Sequence, residues 1–169
     1  MNFLIVTGLS GAGKSMAVNA LEDIGFFCID NIPAGLLPRI LDFAQQGENQ
    51  LSRVAVVMDI RGLHSVQETN KALEALDEKK MPYDILFLDA SDAAIRRRYK
   101  ETRRVHPMTI SEGIPVSEAI TKERQILQPL RERAKYVIDT SLLSTAQNRE
   151  RVSSLFLQKG QCAMSINVV

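Results

Sequence analysis

Residues Gly8 to Ser15 read Gly-Leu-Ser-Gly-Ala-Gly-Lys-Ser, a full G-x-x-x-x-G-K-[ST] phosphate-binding pattern. The apolar run Phe3-Leu4-Ile5-Val6 stands before it and a helix-period segment after it. This context constrains the fold more than any other stretch, because a strand must end, turn tightly on glycine and open a helix with almost no chain between. Such a turn aims main-chain N–H groups at one point, and the helix N-terminus adds its own unpaired donors, which suits a polyanion. A glycine turn that serves tight packing alone has no need of an ammonium at Lys14. Gly8, Leu9, Ser10, Gly11, Ala12, Gly13, Lys14 and Ser15 are therefore expected to bind the phosphates of a nucleoside triphosphate.

Short apolar runs then alternate with helix-period segments. Phe3–Val6 precedes a helix over Lys14–Ile24, in which Ala17, Ala20, Leu21 and Ile24 share a face and Gly25 supplies a left-handed cap. Phe26–Ile29 reads as a second strand, Ala34–Gln46 as a second helix and Val54–Met58 as a third strand. Ser65-Val66-Gln67-Glu68 is a capping box expected to open a helix that ends before Pro82. Ile85–Leu88 and Tyr136–Ile138 are further strands, and Ser91 caps the helix that follows the first of them. Strands that are apolar throughout and separated by helices belong to a parallel sheet covered on both faces. The expected architecture is a three-layer α/β domain with a mainly parallel five-stranded sheet.

Ligands of such sheets sit beyond the carboxyl ends of the strands, where Asp30, Asp59 and Asp89 stand. A magnesium ion on the outer phosphates takes oxygen ligands, commonly the loop hydroxyl and a carboxylate at a neighbouring strand end. Ser15 and Asp59 fit that description. Asp30, in Asp30-Asn31-Ile32-Pro33, suits either a metal, a substrate hydroxyl or an ordinary turn before proline. Asp89 reads as architectural. Lys14, Asp59 and Asp30 are thus the candidate catalytic groups.

A second cluster is basic: Arg96, Arg97, Arg98, Lys100, Arg103 and Arg104 are opposed only by Glu101. On one continuous helix Arg96, Lys100 and Arg103 share a face. The cluster suits a mobile lid whose guanidiniums, those of Arg97, Arg98, Arg103 and Arg104, reach phosphate. It also suits a solvated face paired with acids, or contact with RNA, for which Tyr99 is its one aromatic side chain. His106-Pro107 leads into Ser111-Glu112-Gly113-Ile114-Pro115, a stretch suited to a loop closing over a ligand.

Near-equal charge, with Lys plus Arg at 21 and Asp plus Glu at 20, excludes a general field toward nucleic acid or membrane. Cys28 and Cys162 sit in apolar runs away from metal-ligand spacing and read as buried thiols. The first apolar run is too short for a membrane span and lacks the charged flank of a signal peptide, so a cytoplasmic protein is expected. A single nucleotide-binding domain over residues 1–160, with a lid near 103–116, accounts for the chain. Cys162–Val169 alternates like a strand and stops without a polar tail, so 161–169 is expected to begin a strand or linker toward a C-terminal domain that the chain lacks.

Several segments together resemble the bacterial RapZ/YvcJ nucleotide-binding family: the phosphate loop, Leu21-Glu22-Asp23-Ile24-Gly25-Phe26, Cys28-Ile29-Asp30-Asn31-Ile32-Pro33, Asp59-Ile60-Arg61, Leu86-Phe87-Leu88-Asp89-Ala90, Arg97-Arg98-Tyr99, Thr102-Arg103-Arg104-Val105-His106-Pro107 and Ile138-Asp139-Thr140-Ser141. The resemblance implies a kinase-like P-loop NTPase fold that binds ATP or GTP with Mg2+, using Gly8 to Ser15 and a second segment of Val56, Val57, Met58 and Asp59. It also implies, for longer members, an adapter that presents a small regulatory RNA to an endoribonuclease and tunes amino-sugar synthesis. Those partners map to a C-terminal domain, and their binding is expected to be weak or absent in this chain. Two mechanisms stay open: a binding module with slow hydrolysis, and a small-molecule or nucleotide kinase. Base preference and oligomeric state, a homo-oligomer included, are open as well.

Overall fold

The run from Phe3 to Val6 folds as the central strand because both its faces are apolar, and each such side chain contributes roughly 1.5–3 kcal/mol when buried. The computed structural model describes residues 2–30, 32–46, 53–58, 63–103 and 107–168. Five strands, β1 (Asn2–Gly8), β2 (Phe27–Ile29), β3 (Arg53–Val57), β4 (Asp84–Asp89) and β5 (Tyr136–Asp139), form one sheet in the order β2-β3-β1-β4-β5. All four pairings are parallel; Ile5 lies opposite Val56 on one side and Ile85 on the other. The expected three-layer α/β fold with five strands is observed, and the sheet is wholly parallel.

Among the described residues seven helices connect and cover the strands: α1 (Lys14–Asp23), α2 (Leu37–Gln45), α3 (Leu63–Glu78), α4 (Asp92–Thr102), α5 (Pro107–Glu112), α6 (Val116–Arg133) and α7 (Thr145–Val168). Right-handed crossovers place the connection that moves left, β1 to β2, on one face and the connections that move right on the other. Accordingly α1 packs with α7, while α3 contacts α2 and α6. Phe156 of α7 meets Phe26 and Tyr136 edge-on at 6.0 and 5.1 Å, closing the first face. The chain leaves β1 in one direction and β3 in the other, so a crevice opens at the carboxyl ends of these two strands.

Some boundaries differ from the sequence expectation. The second helix begins with a 3-10 turn, Ala34–Leu36, before Leu37 starts α2 proper with Pro38 in its first turn. Helix α3 opens at Leu63, so the expected capping box falls in its first turn instead of preceding it. The stretch read as a closing loop contains α5, and only Gly113, Ile114 and Pro115 separate it from α6. Residues 161–168, expected to begin a strand or linker, continue α7 as helix. A strand needs a neighbour to satisfy its amides, whereas a helix satisfies them internally, and an eight-residue alternation cannot decide between them. Cys28 is only half-buried; burial and, secondarily, Glu22 push its thiol up to about 11. Cys162 lies outside the described side chains.

Candidate functional site

Where β1 ends, a Cβ on Gly8 would lie 2.3 Å from the carbonyl oxygen of Leu88, so only glycine lets the chain leave the sheet beside β4. Leu9 then donates to Leu88 O at 3.1 Å and Ala12 to Leu9 O at 3.0 Å, curling the chain back toward α1. Gly13 caps α1 at φ +102, a conformation that L side chains avoid, and a Cβ there would be 2.5 Å from Asn148 Nδ2.

The carbonyl oxygens of this curl are held from outside. Arg98 of α4 donates to Gly11 O at 3.0 Å, and the Thr140 hydroxyl, beyond β5, donates to Ala12 O at 2.7 Å. Gly13 O accepts from Ala17 N–H at 3.2 Å and, more weakly, from Asn148 Nδ2 at 3.4 Å. Arg98 is itself fixed, donating to Thr140 Oγ1 at 3.0 Å and to Thr140 O. Ser10 is gripped by Glu123 of α6: its amide donates to Oε1 at 2.7 Å and its hydroxyl to Oε2 at 2.8 Å. Amide and carbonyl of one peptide unit point in opposite directions, so fixing Ala12 O and Gly13 O turns the N–H groups of Gly13 and Lys14 the other way, while that of Ala12, which follows Gly11 O, is taken by Leu9 O. The amides of Gly11 and Gly13 have no hydrogen-bond partner among the described residues. Those of Ser15 and Met16 lie in the first turn of α1, where an α-helix provides no acceptor four residues back. Lys14 Nζ folds over the curl to Gly8 O at 2.9 Å, so its charge stands beside these donors. The turn thus gathers main-chain donors and an ammonium together, with no Cβ at Gly11 or Gly13.

The other expected site residues divide clearly. Val56, Val57 and Met58 are buried in the sheet, with Met58 N–H on Val6 O at 2.9 Å. Their side chains therefore pack in the core, and what β3 brings to the crevice is its own end. Asp59 and Arg104 lie outside the described residues, as does His106. Asp30 is exposed just after β2, at the loop's end of the sheet.

Of the basic cluster, Arg98 alone is described as turned into the site, where it grips main chain. Burial lowers its affinity for the proton from the usual guanidinium value, with Arg97 adding to the effect. Arg97 is exposed, and Arg103 sits beyond α4 in a left-handed cap at φ +54, off the face expected for Arg96 and Lys100. Asp89 is architectural: it accepts from Ala90 N–H at 2.8 Å, Arg124 Nη1 at 2.8 Å and Arg131 Nε at 3.1 Å. Ser91 caps α4 as expected, accepting from Ala94 N–H.

Glu123 and Asn148 were not singled out from sequence, and Thr140 only within the segment Ile138-Asp139-Thr140-Ser141. Thr140 stands directly after β5, so the rule about strand ends applies to it as it does to the acids. Glu123 carried no signal, since a Glu on an amphipathic helix ordinarily faces water.

The family description of RapZ-like N-terminal domains matches residues 1–160. A nucleotide-binding protein of Moorella thermoacetica is 50% identical over 157 residues, covering 90% of this chain and 52% of that protein. One from Alkaliphilus oremlandii is 43% identical over 161 residues, covering 95% and 55% respectively. The chain thus spans about half the length of these relatives. Among solved structures, a shikimate kinase from Acinetobacter baumannii superposes with a TM-score of 0.57 at 16% identity, covering 100% of this chain and 96% of that one. A gluconokinase from Sinorhizobium meliloti gives 0.56 at 13% identity, covering 98% and 97%. At such identities the likeness is one of fold.

Proposed function

We propose that this chain, which belongs to the family of RapZ-like N-terminal domains, is a nucleotide-binding module that takes ATP or GTP by its phosphates at Gly8 to Ser15. The observation that carries the proposal is the outward fixing of the Gly11, Ala12 and Gly13 carbonyls, with donors left for an anion on the inner side. A rigid cradle of this kind loses little freedom on binding, which is where affinity is gained. Its relatives' description as nucleotide-binding proteins supports the same reading.

The residues have separate tasks. The loop amides bind the phosphate oxygens, and Lys14 adds a charge-assisted bond by leaving Gly8 O. The Ser15 hydroxyl, with Asp59 or Asp30, would hold Mg2+, which on binding supplies charge neutralisation across the outer phosphates. Val56, Val57 and Met58 fix the strand that Asp59 follows in sequence. Arg97 and Arg103, which are exposed, and Arg104 supply the cations that meet the terminal phosphate, whereas Arg98 holds the loop. Hydrolysis in this reading is slow, with occupancy rather than turnover carrying the signal in the cytoplasm. Any RNA or endoribonuclease contact of the longer relatives is assigned outside these residues. The helices add no membrane role: among the described residues none is long and apolar enough to cross a bilayer.

Following a labelled terminal phosphate tests the module against a kinase. Slow release to water, or retention, agrees with the module; transfer to a small metabolite contradicts it. A thermal-shift panel of ATP, GTP and their diphosphates, each with and without magnesium, decides the base preference and the metal requirement.

A further inference from the structure

A carboxylate removed from water persists only when its oxygens are engaged, and Glu123 is 2% exposed. Its two oxygens are both engaged by Ser10, 113 positions away in the chain. The adjoining Arg124 donates to Asp89 Oδ1 at 2.8 Å, Ala90 O at 2.6 Å and Asp92 Oδ1 at 2.7 Å. Two consecutive residues of α6 therefore seize the chain just after β1 and just after β4. In the same turn α6 also holds α5: Lys122 pairs with Glu112, and Gly113, at φ +68, reverses the chain between the two helices. From Glu123 to the start of α6 at Val116 the helix spans seven residues, roughly 10 Å of rigid rod.

We infer that Glu123 is a positioning residue through which occupancy of the phosphate loop by a nucleoside triphosphate is transmitted along α6 to α5. The inference rests on the nucleotide reading of the loop. Lys14 must leave Gly8 O to reach a phosphate, which releases the turn that Ser10 belongs to, and a two-bond grip passes any displacement of Ser10 to α6. Close-packed helices move as bodies, so α5, tied through Glu112 to Lys122 beside Glu123 and joined to the start of α6 by Gly113, responds with it.

Amide hydrogen exchange read by mass spectrometry on the wild type, Glu123→Gln and Glu123→Ala, each with and without MgATP, tests this. Glutamine keeps both bonds, accepting from the Ser10 amide through Oε1 and donating to the hydroxyl through Nε2; alanine keeps neither. Without nucleotide, exchange across residues 10–13 should rise in Glu123→Ala and stay at the wild-type rate in Glu123→Gln. At saturating MgATP, α5 amides should slow by about tenfold in the wild type and Glu123→Gln, a usual size for coupled sites. In Glu123→Ala the loop should still slow and α5 should not. A structural role alone would not separate loop from α5 at saturation. Full α5 protection in Glu123→Ala, or unaltered loop exchange without nucleotide, would overturn the inference. Should Glu123→Ala not fold, Ser10→Ala, which removes the hydroxyl bond alone, should show partial loss, and an unchanged response there is equally contrary. If the wild type binds no nucleotide, the reading of the loop fails, and the transmission inferred from it is overturned too; the nucleotide-free arm still reports separately whether Glu123 positions Ser10.

Discussion

At the carboxyl end of the sheet, side chains grip main chain: Arg98, Thr140, Asn148 and Glu123 hold atoms of residues 10–13. At the amino end, Arg53 donates to Ile24 O at 3.1 Å, and the remaining exposed pairs join side chain to side chain. Asp77, near the end of α3, accepts from Tyr83 at 2.8 Å and from Arg133 at 2.5 Å, and Lys135 lies 3.7 Å from Asp84. Bonds of the second kind join exposed groups whose alternative partner is water, and their contribution is small. Bonds of the first kind fix backbone torsions that a free glycine-rich turn would not keep. Similar polar chemistry thus stitches helices together at one end and shapes a ligand cradle at the other.

The largest way to break this contrast is Gly8→Ala. A Cβ 2.3 Å from a backbone oxygen cannot be relieved by a rotamer change, and a loss of roughly 3 kcal/mol in stability is expected. Urea denaturation reads it directly; a wild-type midpoint would mean the loop leaves β1 by another path. Lys14→Ala comes next, removing charge-assisted bonds of about 1.5–3 kcal/mol, or ten- to a hundredfold in triphosphate affinity. Calorimetry on a folded mutant with unchanged affinity would contradict the role of the ammonium.

The contrast itself is measured by a pair of smaller changes. Thr140→Val leaves Ala12 O without its hydroxyl donor and Arg98 without one acceptor, which is expected to cost about 1–2 kcal/mol and to weaken nucleotide binding. Arg133→Ala, at the other end, is expected to cost about 0.5 kcal/mol or less, with affinity unchanged. A larger loss from Arg133→Ala would erase the distinction between the two ends. The smallest effect is one of acidity. Hydrogen bonds from the hydroxyl and then the amide of Ser141 hold the Asp139 carboxyl below its ordinary 3.8. Its stabilising contribution is present above that value and lost as pH falls through the lower folded one, so Asp139→Asn should flatten the acid limb of a stability–pH profile. A limb unchanged by the substitution would remove Asp139 from the fixed groups beside the loop.

The carboxyl end was also the part most readable in the sequence. Glycine spacing, Lys14 and the flanking apolar strand each reflect a local requirement, and local requirements leave short motifs. The parallel sheet was readable for the same reason, through the uniformly apolar runs of β1, β3 and β4. What holds the loop was not readable, because Arg98, Glu123 and Asn148 reach it from helices 87 to 135 positions away in the chain. Arg98 was visible only as one of several arginines, and sequence gives no means of telling the one that turns inward from those that face water. The end of α7 misled because eight residues of alternation fit either element until a neighbour is known.

The preformed inward-facing amides are the claim on which the rest depends, and an amide NMR titration with MgATP and MgGTP addresses it most directly. Saturable shifts at Gly11, Gly13, Lys14 and Ser15, with little change at the exposed amino-end pairs, are the predicted result. Silent loop amides at saturating triphosphate, or shifts centred on Asp77, Tyr83 and Arg133 instead, would contradict the account.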